Sequence, residues 1–141
     1  MMNVEAYIHR VHYHETDKMG ITHHSNYVKW MEEARIAFLD QVGYGYARLE
    51  REGICSPVTG IEGQYKAPTT FDDSVCIQVE VEAFKGVRLV IGYTMTNQTS
   101  GEVVFVGKSH HCFVNREGKP VILKKQVPEL DRILKDLATK E

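Results

Sequence analysis

No two cysteines in this sequence stand close enough for a C-x-x-C motif. The three that occur, Cys55, Cys76 and Cys112, are odd in number and widely spaced, which argues against a disulfide framework and a zinc knuckle. Long hydrophobic runs are missing too: no uninterrupted apolar stretch approaches the ~20 residues of a membrane-spanning helix. Charge of one sign is not in excess. The chain has 17 basic and 19 acidic side chains and a formal net charge of −2, so no general affinity for nucleic acid or an anionic membrane is expected. MMNVEAYIHRVHY has no basic region followed by an apolar segment, so no signal peptide is expected. Repeats, low-complexity tracts and interdomain linkers are absent. What remains is the expectation of a reduced, soluble, cytoplasmic protein, with residues 1–141 as one domain able to bury a core.

What is present is patterning. Residues 4–15 alternate roughly, with Tyr7, Val11 and Tyr13 on one face, which predicts a strand. From Asn26 to Val42 the period becomes helical, with Tyr27, Met31, Ala34 and Phe38 on one stripe. Val28, Trp30, Ile36, Ala37 and Leu39 extend the apolar surface most of the way round, leaving Lys29, Glu33 and Asp40 on a narrow polar side. Such a helix has to be wrapped. Gly43 is its expected stop, and a short helix over ARLEREG follows.

Residues 75–83 alternate cleanly, with Val75, Ile77, Val79, Val81 and Ala83 on one face. Residues 88–96 repeat this through Leu89, Ile91, Tyr93 and Met95, and 103–114 is a third β-rich run. A further strand is expected within 56–67, and PELDRILKDLATK reads as an amphipathic helix with Leu130, Ile133, Leu134 and Leu137 inward. The expected fold class is α+β: an antiparallel sheet of about five strands, the last four in a meander, curling round one long central helix.

Several motifs fall away. GKS at 107–109 lacks the glycine a phosphate loop needs at 102, where Glu102 stands, and lies mid-strand. His12 and His14 would share a strand face, but no H-x-x-x-H spacing or cysteine ligand accompanies any of the seven histidines, so no metal is expected. No G-x-S-x-G occurs, and no cysteine lies near a helix start. Glu32 and Arg35 are spaced either as a structural ion pair or with Glu32 as a secondary acid near a site.

Asp17 is the strongest candidate for chemistry. An aspartate near a glycine commonly caps a turn. This one also precedes the start of the wrapped helix, where unpaired amides and a positive dipole end can hold a carbonyl oxygen as charge develops on it. A carboxylate beside such amides can attack the carbonyl carbon or activate water.

The stretch YHETDKMGITHHSNYVKWMEEAR, residues 13–35, resembles the motif of the 4-hydroxybenzoyl-CoA thioesterase family, nearest to the bacterial Tol-Pal-associated acyl-CoA thioesterases. The matching pieces are the aromatic and acid in YHETD, Gly20, the HHSNY helix start and EEAR, with weaker similarity through QYKAPTTFDD. The resemblance implies a hotdog fold and hydrolysis of acyl-CoA thioesters. It places the catalytic acid on Asp17 and the carbonyl-polarising amide on His24, and it matches Tyr27 and Glu32 to further motif positions. Glu15 departs from the subgroup, which usually has Asp there, and Lys18 and Met19 replace smaller residues.

The expected function is therefore that of an acyl-CoA thioesterase. Its substrate is a small-molecule coenzyme A thioester, and it needs no cofactor. Hydrolysis of acyl carrier protein thioesters and non-catalytic acyl-CoA binding are the alternatives. The resemblance also implies a homo-oligomer, dimer or tetramer, whose sheets join edge to edge and whose sites are lined by both subunits. Coenzyme A carries phosphates, and Lys85 and Arg88 around the FKGVR turn, with Lys66, could form a basic mouth for them or be solvated turn charges.

Overall fold

The alternating stretches become strands and the 3.6-period stretch becomes a helix, in a computed structural model that describes residues 4–138. The strands are β1 (Tyr7–Arg10), β2 (Val58–Tyr65), β3 (Ser74–Phe84), β4 (Arg88–Asn97) and β5 (Val103–Cys112). They form one antiparallel sheet in the order β1-β3-β4-β5-β2. The helices are α1 (Ser25–Gln41), α2 (Tyr46–Arg51), α3 (Leu123–Gln126) and α4 (Pro128–Ala138), and Tyr13–Glu15 forms a single 3-10 turn.

Pairing fixes which side chains share a face. Tyr65 stands opposite Phe105, Phe105 opposite Met95, Met95 opposite Ile77, and Ile77 opposite Tyr7. The α1 residues Tyr27, Trp30, Met31, Ala34, Phe38 and Leu39 are buried in one core with Val75, Ile77, Ile91, Met95 and Phe105. Fully burying a side chain of this size stabilises the fold by roughly 1.5–3 kcal/mol, so the helix stripe is a principal source of stability. The helix stops where Gly43 was expected to stop it. The Tyr44 amide donates to the Leu39 carbonyl and the Gly43 amide to the Asp40 carbonyl, which is the Schellman pattern.

The structure corrects three expectations. The first strand is shorter than residues 4–15: after Arg10 the chain leaves the sheet, turns through Tyr13–Glu15, and leaves Tyr13 77% exposed. The four later strands are not a simple meander, because β2 crosses to the far edge and pairs with β5, leaving only β3-β4-β5 consecutive. Finally, the sheet covers α1 but leaves one flank open: Val28 is 42% exposed and Ile36 and Ala37 are half-buried, so the apolar surface is less completely covered than expected. The short α3 had no expectation, whereas α4 follows its pattern, with Leu130 and Leu134 fully buried and Ile133 and Leu137 packed beside them.

Beneath α1 the sheet carries a buried polar chain. Tyr93 shares a hydrogen bond with Ser109 at 2.6 Å, and Ser109 shares one with His111 Nε2 at 2.7 Å. Burial pushes the Tyr93 phenol up to about 12. Burial likewise pushes the His111 imidazole down to about 4, with the charges of Arg35 and His110 adding to the effect.

Candidate active site

The loop before α1 folds on itself. Thr16 and Thr22 form an isolated antiparallel bridge, and the Asp17 amide donates to the Ile21 carbonyl at 2.9 Å. Between them the chain makes a tight turn in which the Gly20 amide returns to the Asp17 carbonyl at 2.9 Å. Gly20 closes that turn with a φ of 81°, a conformation L-residues avoid. Asp17 Oδ1 accepts from the Met19 amide at 2.8 Å, and its other oxygen has no partner among the described residues. The turn-capping role and a free carboxylate oxygen therefore coexist in one side chain.

The start of α1 is sparsely capped. His24 sits at the cap position with helical angles and makes no side-chain cap, and no acid occupies the first turn. Ser25 takes the His23 ring nitrogen for its amide at 3.2 Å, whereas the His24 amide finds no acceptor among the described residues. The positive end of the helix dipole is thus left uncompensated at this point.

Asp17, Met19, Ile21, Thr22, His24, Tyr27, Tyr65, Lys66, Ala67 and Pro68 line one open cleft of about 360 Å³. That volume suits a small organic group. One wall is aromatic. Tyr27 and Phe105 stack at 5.3 Å between centroids, and Tyr65 meets each edge-on, at 5.2 Å and 5.1 Å. The Phe105 ring occupies the space above Gly63 and Gly107, where an added Cβ would meet its atoms at 2.4 Å and 2.6 Å. The glycine of GKS is therefore a packing requirement within β5.

Hydrogen bonds hold that wall. The Tyr65 hydroxyl donates to the His24 carbonyl at 3.0 Å. The Tyr27 hydroxyl shares a bond with Thr69 at 2.9 Å, and Thr69 shares one with Thr22 at 2.7 Å. Burial raises the Tyr27 phenol, so it is neutral at physiological pH.

Of the residues singled out in the sequence, Asp17, His24, Tyr27 and Lys66 share the cleft, and Gly20 shapes its turn. Glu32 lies two turns further along α1, outside the cleft lining, and accepts from Arg35 at 2.7 Å with the Arg35 side chain buried. Its structural ion-pair reading therefore describes what it does within one chain. Lys85 and Arg88 are exposed at the β3-β4 turn, at the opposite end of the sheet from Tyr65. At ~3.4 Å per strand residue this is roughly 20–25 Å from the cleft.

Two features were given no role from the sequence. Tyr65 and Pro68 help line the cleft, and the sequence marked them only within the weaker QYKAPTTFDD similarity. His9, His12 and Glu15 also gather, with donor atoms within 4.8 Å of one another. The sequence pairing of His12 with His14 survives only as a ring stack, 5.2 Å apart, because this segment is a 3-10 turn and not a strand. Glu15 spends its oxygens on hydrogen bonds to His9, Trp30 and the His12 amide.

The fold and sequence have relatives. Residues 11–137 match the model of the thioesterase-like superfamily. A putative acyl-CoA thioesterase, YneP, of Bacillus subtilis is 36% identical over 120 residues, covering 84% of this chain and 86% of that protein. A putative esterase of Aquifex aeolicus is 33% identical over 132 residues, covering 92% and 97%. The crystal structure of a DHNA-CoA thioesterase from Staphylococcus aureus superposes with a TM-score of 0.89 at 30% identity, covering 94% of this chain and 89% of that one. On the family match, these identities and the five-stranded sheet packed on one long helix, the chain belongs to the thioesterase-like superfamily and has its hotdog fold.

Proposed function

We propose that this protein is an acyl-CoA thioesterase, cleaving its substrate to free acid and coenzyme A. The observation that carries this reading is the shared cleft, in which a carboxylate with one oxygen lacking a partner among the described residues lies in the same lining as a sparsely capped helix start. The thioester carbonyl oxygen would take the His24 amide, so charge developing on it meets a fixed donor and the helix dipole. Asp17 then either attacks the carbonyl carbon, giving an anhydride that water opens, or removes a proton from an attacking water. In both routes a C–O bond replaces the C–S bond and the coenzyme A sulfur leaves with the electron pair, to be protonated. Within the superfamily, the YHETD and HHSNY pieces favour the 4-hydroxybenzoyl-CoA thioesterase type, near the Tol-Pal-associated enzymes. Three free cysteines agree with a reducing, cytoplasmic setting, and among the described residues no helix is long and apolar enough to cross a membrane.

The working form in this proposal is a homo-oligomer built on a dimer. Edge strand β2 is exposed along its length, with Val58, Ile61 and Tyr65 each more than 40% exposed and Val103 and Val106 beside them on β5. An unpaired, apolar edge of this kind invites a second strand. Antiparallel pairing of two β2 edges sets the start of one strand against the end of the other. The partner subunit's Lys85 and the partner's Arg88 then approach this cleft, which accounts for basic residues so distant within one chain. Glu32, on the uncovered flank of α1, would face the same junction.

The test is thiol release from a panel of acyl-CoAs, acetyl to palmitoyl with aryl esters included. Release from at least one member supports the proposal. Tight binding without release would favour a non-catalytic acyl-CoA module, and release only from acyl carrier protein thioesters would favour the other hydrolase.

A further inference from the structure

The two halves of the cleft are joined by a buried side chain that the thioester chemistry does not use. Glu15 lies two residues before Asp17 and is 5% exposed. Its Oε1 accepts from His9 Nε2 at 2.9 Å and from the His12 amide at 2.8 Å, and its Oε2 accepts from Trp30 Nε1 at 2.9 Å. Its backbone carbonyl accepts from the His23 amide at 2.8 Å and from Asn26 Nδ2 at 2.9 Å. One residue therefore ties β1, the 3-10 turn, the segment entering α1 and the body of α1 together.

The arrangement is built to hold a charge. A buried carboxylate is costly unless donors meet it, and three do. Burial pushes the Glu15 carboxyl up, but the donors from His12, His9 and Trp30 outweigh that and hold it below the ordinary carboxylate range. His9 is fixed in turn, its ring 4.6 Å from that of Trp30 and its Nδ1 3.2 Å from Glu33 Oε1. Glu33 takes the Tyr7 hydroxyl at 2.8 Å.

We propose that Glu15 is a positioning residue for the hydrolysis: its carboxylate and carbonyl clamp the Asp17 turn in register with the His24 amide. The proposal rests on the thioesterase reading of the cleft. Glu15, His9 and Trp30 do not line that cleft, so they act on the reaction through the groups they hold and not by touching substrate. A misplacement of about 1 Å between reacting groups costs as much as ~10²-fold in rate, which makes the register worth holding.

The experiment compares wild type, Glu15→Gln and Trp30→Phe by steady-state kinetics and by amide hydrogen exchange over residues 16–24. Trp30 is the single tryptophan, so its emission reports the clamp in wild type and Glu15→Gln. Glu15→Gln should lower kcat by about 10- to 100-fold with KM within about twofold, shift Trp30 emission, and speed exchange over 16–24 with little change in β3 to β5. Trp30→Phe removes one donor to Glu15 and some buried ring volume but leaves the other two donors, so it should move kcat and loop exchange the same way by less. Wild-type kcat and loop exchange in folded Glu15→Gln would overturn the proposal. If that variant does not fold, Trp30→Phe with unchanged kcat and loop exchange would overturn it. Exchange accelerated equally across β3 to β5 would make Glu15 a general stability residue, and that too overturns it. A wild type that releases no thiol would defeat the thioesterase reading, while faster loop exchange in the variants would still uphold the clamp.

Discussion

The hydroxyl of Tyr65 donates to the carbonyl oxygen of His24 at 3.0 Å, tying the last residue of β2 to the start of α1. Through this bond the edge strand helps orient the helix terminus at which the candidate chemistry occurs. Removing it with Tyr65→Phe keeps the ring against Tyr27 and Phe105 and deletes one neutral hydrogen bond, worth about 0.5–1.5 kcal/mol. Turnover should fall by roughly 2- to 12-fold with a small change in Tm, measured by initial rates and thermal melts. A large stability loss with unchanged turnover would show that the bond serves only the fold.

Acid should weaken the fold in two steps. His111 is held near 4 in the folded protein against an ordinary 6.5, so the unfolded chain takes up a proton first as pH falls. Stability is full above about 6.5 and declines towards 4, by about 3 kcal/mol if the whole shift is realised. Glu15 is depressed from 4.5, so its contribution is present above that value and is lost as pH falls through its lower folded value. Urea midpoints measured between pH 7 and 4 should show the first step in wild type and a flatter slope in His111→Gln. An equal slope in both would assign the step to other groups.

The exposed β2 edge predicts association. Sedimentation at micromolar concentration should give at least twice the 16.1 kDa chain mass. A fully active monomer would contradict the edge-paired dimer.

In the proposed edge-paired dimer the β3-β4 turn would bring basic side chains to the partner's cleft. Lys85→Ala combined with Arg88→Ala should raise KM for acyl-CoA by about tenfold, reduce its salt sensitivity and leave kcat nearly intact. A pantetheine thioester, which lacks the nucleotide phosphates, should not feel the change. Equal losses on both substrates would mean that these residues support structure or chemistry.

Much of the fold was legible because its signals are local. The 3.6 period of Tyr27, Met31, Ala34 and Phe38 and the alternation of Val75, Ile77 and Val81 each mark a buried face without knowledge of the rest of the chain. The position of β2 was not, because nothing in VTGIEGQY states which neighbour it pairs with, and it takes an edge where seven of its eight residues are exposed and Gly60 is half-buried. Of the candidate site, Asp17 stood out as a loop acid before a helix start and His24 came only from the family resemblance; the structure places both in one cleft lining. The Glu15 hub was not legible, since His9 and Trp30 lie on elements that only the fold brings together, and alternation wrongly put Tyr13 on the buried face.

In the proposed hydrolysis the Asp17 carboxylate carries the reaction. Asp17→Asn keeps the size of the side chain and the Met19 amide contact, and removes the charge. Thiol release from the best acyl-CoA should then fall by about 10²-fold or more, with the melting temperature little changed. Near-wild-type turnover in a folded Asp17→Asn protein would contradict the account.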